Sequence, residues 1–151
     1  MSKKIAIGCD HGGFDLMQKI MSHLEENGYE YTCFGTNDGS AVDYPDIALP
    51  VCKSVASGEN DLGILVCGTG IGMSIAANKV NGIRAAVCSE HYSAKYTRLH
   101  NDANVLCLGG RVTGDMLALE LVDIFLTTEA QGDRHARRRE KIAQIEQMMK
   151  N

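Results

Sequence analysis

The chain has 151 residues, 44% of them apolar and 23% charged, a composition close to that of an average folded domain and unlike that of a disordered tail. At this length one domain over residues 1–151 is expected, because two independent domains would each bury too little surface to be stable. Fifteen Lys and Arg against nineteen Asp and Glu give a net charge of -4, which argues against a nucleic-acid binder, while short apolar runs and a start without an apolar signal core predict a cytosolic protein with no membrane partner.

In chain order, Lys4 to Cys9 is a short apolar run closed by Asp10-His11-Gly12-Gly13, after which Met17, Ile20, Met21 and Leu24 recur at i, i+3, i+4 and i+7. That pattern predicts strand, loop and helix. Asn27-Gly28 ends the helix, Tyr29 to Phe34 forms a second strand candidate, and a polar loop reaches Pro45 before Ala48, Val51, Cys52 and Val55 restore the helical spacing. Leu62 to Cys67, Ala85 to Cys88 and Val105 to Leu108 are further strand candidates, with helical segments between and after them. Five short apolar strands alternating with helices predict an α/β class protein, a three-layer α/β/α arrangement around a five-stranded, mostly parallel, Rossmann-like sheet. The pattern leaves the strand order open beyond the first three.

A last helix is expected from about Ala136, with Ile142, Ile145, Met148 and Met149 on one stripe and Arg134, Arg137, Arg138, Arg139 and Lys141 around its start. Cations at a helix N-terminus oppose the helix dipole, so the cluster is either solvated surface or an anion site. The stripe is more apolar than a helix covering only its own sheet requires.

In parallel sheets ligands bind beyond the carboxyl ends of the strands, which directs attention to Asp10 and His11, residues 35–43, Cys67 to Gly72, Ser89 to His91, and Gly109 to Arg111. Cys67-Gly68-Thr69-Gly70-Ile71-Gly72-Met73-Ser74 is the most informative segment. Its glycines let backbone N–H groups turn outward as an anion cradle, and Thr69 and Ser74 add hydroxyls that a bare turn does not need. Met73 stands where a GxGxxG dinucleotide loop needs its third glycine, and where a Cys-x5-Arg phosphatase loop needs its arginine.

Cys67, at a strand end before helical N–H groups, is placed to supply thiolate as nucleophile or base. Six widely spaced cysteines with no CxxC make core packing an equally good reading of any one of them, and no metal or cofactor is expected. His11 and His100-Asn101 are taken as ligand-facing, His23 and His91 as surface. Arg111, Arg134 and Arg138 offer planar forks to phosphate, with charge-assisted bonds of ~1.5 to 3 kcal/mol each. Together these groups suit proton movement next to a carbonyl in a phosphorylated small molecule.

Gly8-Cys9-Asp10-His11, Asp43-Tyr44-Pro45, Cys67 to Gly72, Ala76-Ala77-Asn78-Lys79, Gly82-Ile83-Arg84-Ala85, His100-Asn101-Asp102-Ala103-Asn104 and Gly109-Gly110-Arg111 together resemble the type B ribose-5-phosphate isomerases over nearly the whole chain. The resemblance implies cofactor-free interconversion of ribose 5-phosphate and ribulose 5-phosphate at a site shared between chains of a homo-oligomer, dimer or tetramer. It implies Cys67 as the base, Gly68, Thr69, Gly70, Ile71 and Gly72 as the enediolate loop, and His100 in ring opening. Asp10, His11 and Asn101 would contact sugar oxygens, and Arg111, Arg134 and Arg138 the phosphate, with His11 assisting. Some family members place a Glu in the site; position 75 is Ile75 here, which leaves Cys67. Related enzymes on the same scaffold act on allose 6-phosphate or galactose 6-phosphate, and a non-catalytic phosphometabolite-binding module is the alternative from another class.

Overall fold

Apolar residues at every position of Leu62–Cys67 leave that segment one kind of place, the middle of a sheet covered on both faces. The computed structural model describes residues 2–150 and puts it there. In chain order the elements are β1 (Lys4–Cys9), α1 (Phe14–Glu26), β2 (Glu30–Cys33), α2 (Tyr44–Ala56), β3 (Leu62–Cys67), α3 (Ile71–Ala77), β4 (Ala85–Val87), α4 (His91–Asn101), β5 (Val105–Gly109), α5 (Asp115–Thr127) and α6 (Asp133–Met148), with a single 3-10 turn at His11–Gly13. The strands form one sheet in the order β2-β1-β3-β5-β4. Every pairing is parallel, so the sheet is wholly rather than mostly parallel.

Alternation along the strands sorts the core into two halves. Ile5, Ile7, Ile64, Val66, Leu106 and Leu108 pack with α1 and α5, whereas Ala6, Leu65, Cys67, Val105 and Cys107 pack with α2 and α3. This is the period-two pattern of a sheet buried on both sides. The edge strands β2 and β4 are only partly buried and correspondingly short. The chain leaves β1 toward β2 and returns to place β3 on β1's other side, so a switch point opens at the carboxyl ends of β1 and β3.

The start of the last helix differs from the sequence-based expectation, whereas its exposed apolar stripe agrees with it. Helix α6 begins at Asp133, about one turn before Ala136, so Arg134 lies inside the helix rather than ahead of it. Its apolar stripe does not pack on the sheet: Ile145 is 58% and Met149 78% exposed, and His135 is the buried residue of α6. No helix among the described residues is long and apolar enough to cross a membrane.

Candidate active site

Three loops meet at the carboxyl ends of β1, β3 and β5. After β1, Asp10 is buried and caps the 3-10 turn, its Oδ1 accepting from Gly13 N–H at 3.2 Å, while His11 projects exposed. After β5, Gly110 N–H donates to Cys67 O at 2.8 Å and Arg111 N–H to Gly68 O at 3.0 Å. A Cβ at Gly110 would come within 2.7 Å of Gly12 O, so the first and last loops approach too closely for a side chain.

The middle loop holds the thiol. Cys67 ends β3 on the α2/α3 face, 5% exposed, and its Sγ accepts the Gly70 N–H at 3.2 Å. Gly70 can present that N–H because it sits at φ +80°, a left-handed conformation most residues avoid. Arg111 lies alongside, its Cδ and Nη1 each 3.6 Å from where a Gly68 Cβ would be.

Both hydroxyls of this segment are engaged locally. Thr69 Oγ1 accepts from Ile71 N–H at 3.2 Å and stays exposed, whereas Ser74 Oγ donates to Ile71 O at 2.9 Å within α3. Ser74 is thus a helix-internal hydroxyl and not part of the cradle. The thiols away from the loop behave as packing: burial pushes Cys9 and Cys52 up to about 12 and Cys88 to about 11, and raises Cys107 as well.

Tyr44 was not anticipated as a site residue. It opens α2, and its ring lies 2.8 Å from where a Gly72 Cβ would be, so the phenol borders the glycine loop. The available signal was an aromatic residue at the end of the polar loop after β2, one position past the residues 35–43 that the strand-end rule selects.

His100, Asn101, Arg134 and Arg138 lie elsewhere. His100 and Asn101 occupy the last turn of α4, and the segment just after them is fixed by Asn104 N–H to Arg84 O at 2.9 Å and Gly63 N–H to Asn104 O at 2.8 Å. Those partners belong to the amino ends of β4 and β3. His100 and Asn101 therefore do not share the carboxyl edge of their own sheet with Cys67. Eleven residues of helix return the chain by roughly 16 Å, which spans the sheet from one edge to the other.

A second cluster forms at that opposite edge. The His100 and His135 rings stack with centroids 3.9 Å apart and planes 6° apart, and Arg139 Nη1 donates to His100 O at 3.0 Å. Burial, and then the neighbouring His100, Arg134, Arg138 and Arg139, push the His135 pKa below the ordinary histidine value. Its Nε2 is buried with no hydrogen-bond partner among the described residues. Arg134 and Arg138 are exposed on the same helix. Beside this cluster a groove of about 640 Å³ runs between α6 and the segment 78–85, lined by Ile83, Arg84, Ile142, Ile145 and Met149 among others. No group of three or more His, Cys, Asp or Glu positioned to hold a metal ion occurs among the described residues.

The Ribose/Galactose Isomerase family model matches residues 5–142. Ribose-5-phosphate isomerase B of Escherichia coli (strain K12) is 54% identical over 145 residues, 96% of this chain and 97% of that protein. Among solved structures, Clostridium thermocellum Ribose-5-Phosphate Isomerase B has a TM-score of 0.95 at 55% identity, covering 97% of this chain and 99% of the other. Ribose-5-phosphate Isomerase B from Mycoplasma genitalium with bound ribulose-5-phosphate has a TM-score of 0.93 at 42% identity, covering 97% and 98%.

Proposed function

The chain belongs to the ribose/galactose isomerase family, and from that premise we propose that it interconverts ribose 5-phosphate and ribulose 5-phosphate through an enediolate, with Cys67 as the base. The observation that carries the assignment is the Gly70 N–H directed at Cys67 Sγ in a loop bordered by Arg111. In the opened aldose, the Cys67 thiolate takes the proton from carbon 2. The freed electron pair forms the carbon 1–carbon 2 double bond, and the aldehyde oxygen becomes an oxyanion. Backbone N–H groups of Gly68 to Gly72 and the Thr69 hydroxyl stabilise that charge. Sulfur then returns the proton to carbon 1 while the carbon 2 hydroxyl gives up its own proton toward the first oxygen, leaving the ketose.

Asp10 and His11 border this loop and suit the sugar hydroxyls, and Arg111 suits the phosphate, with His11 assisting. His100 opens the furanose ring, Asn101 contacts the sugar, and Arg134 and Arg138 complete phosphate binding. Because one chain carries these four at the far edge of its sheet, the complete site is formed by two copies, each giving its Cys67 edge to the other's His100 edge. The exposed Ile142, Ile145, Met148 and Met149 support such an assembly.

Cys67→Ser tests the base. A serine hydroxyl is similar in size and a far poorer base, so kcat on ribose 5-phosphate should fall by roughly 100-fold or more while KM changes little. A loss confined to KM would remove Cys67 from proton transfer. Turnover of allose 6-phosphate in parallel fixes the preference between pentose and hexose.

A further inference from the structure

We propose that His135 is a positioning residue for His100, its imidazole forming the flat platform that fixes the plane in which His100 meets the sugar ring. The inference rests on the reading of His100 as the ring-opening group. His100 sits in a column of rings: Tyr92 and Tyr96 stack at 4.3 Å, Tyr96 meets His100 edge-on at 4.9 Å and 68°, and His135 closes the column face to face at 3.9 Å and 6°. Tyr92, Tyr96 and His100 are spaced i, i+4, i+8 on α4, so one helix face aligns them. His135 comes from α6 and is 6% exposed, which makes it the anchored member of the pair.

The His100 ring turns about two side-chain torsions, and a half-buried imidazole at the end of a helix would sample several orientations. Edge contact from Tyr96 on one side and a parallel ring on the other leave one plane. The Arg139 guanidinium holds the His100 carbonyl, so backbone and ring are fixed from the same helix α6. Burial of its Nε2, unpartnered among the described residues, and the nearby Arg134, Arg138 and Arg139 hold the His135 pKa below the ordinary histidine value.

Two substitutions separate platform from imidazole chemistry. His135→Leu keeps bulk and removes the flat ring, whereas His135→Phe keeps a ring and removes both nitrogens. We expect His135→Leu to lower kcat on ribose 5-phosphate by roughly 10- to 100-fold with little change in KM. Exchange of the carbon 1 proton of ribulose 5-phosphate, which needs no ring opening, should be spared, and His135→Phe should recover most of the loss. The thermal midpoint of both variants reports folding separately. The His100 Hε1 proton resonance supplies a readout independent of turnover: loss of the stacked ring in His135→Leu shifts it downfield, and His135→Phe keeps it upfield. Full activity in His135→Leu, equal damage in the two substitutions, or an unmoved His100 resonance in His135→Leu overturns the positioning role. Should His100→Asn impair ring opening and carbon 1 exchange equally, it is the ring-opening reading of His100 that fails, and the resonance still decides whether His135 holds the ring.

Discussion

At Gly70, φ +80° and the space around it act together, since an added Cβ would lie 2.9 Å from both the Leu108 carbonyl carbon and Val87 Cγ2. Gly70→Ala is expected to cost about 1 to 3 kcal/mol of stability and, by turning the N–H off the sulfur, to lower kcat as well. Urea titration and steady-state kinetics measure the two effects; an unchanged midpoint and rate would show that the loop adapts without strain. His100→Asn should slow turnover of cyclic ribose 5-phosphate while sparing carbon 1 exchange in ribulose 5-phosphate. Equal losses would move His100 into the proton-transfer step. The packed thiols predict the alkaline limb of stability. Cys9 and Cys52 titrate at about 12 in the fold against an ordinary 9.0, so above pH 9 the unfolded chain sheds protons that the folded chain keeps. Stability should therefore fall steadily as pH rises through that window, and Cys52→Ala should flatten the slope. A urea midpoint that rises from pH 9 to 11 would contradict this.

Helix α4 carries two unrelated duties on its two sides. Away from the ring column, the buried Arg98 ties the end of α4 to the end of α5: Nη1 donates to Asp102 Oδ1 at 2.8 Å and Ala103 O at 2.6 Å, and Nε donates to Thr128 O at 3.1 Å. Arg98→Met leaves those carbonyls without their donor and should destabilise by roughly 2 to 4 kcal/mol, read as a lowered urea midpoint. At this scale the sequence was informative where burial is two-sided. The predicted limits Leu62 to Cys67 match β3 residue for residue, and every strand candidate is a strand, because a continuous apolar run beside Gly and Asp has few other uses. The start of α6 was less legible. His135 buries its ring and the arginines around it do not, so no apolar periodicity marks the first turn. The place of His100 is hidden for a different reason: its position between two strand candidates does not show how far the intervening helix runs, and α4 continues to Asn101 and delivers it to the amino edge.

For the whole molecule, the loop-borne half of the proposed site could be read from the chain because strand ends mark it, while the helix-borne half needed the return path of α4 and the seat of α6. That division predicts complementation. Cys67→Ala and the double variant Arg134→Ala with Arg138→Ala should each be inactive, and mixing them should restore activity, since a mixed pair contains one site with every group intact. If subunit exchange is confirmed and no activity returns, the arginines serve the thiol of their own chain and the shared site is wrong. The same loop also sets the timing of the proposed reaction. In the resting loop the Gly70 N–H is committed to sulfur. When sulfur takes the proton from carbon, its hold on that donor weakens at the moment the sugar oxygen becomes an anion, and the same N–H can turn to it. One backbone amide then serves the base before transfer and the intermediate after it, so the charge moves between two atoms while the donor barely moves.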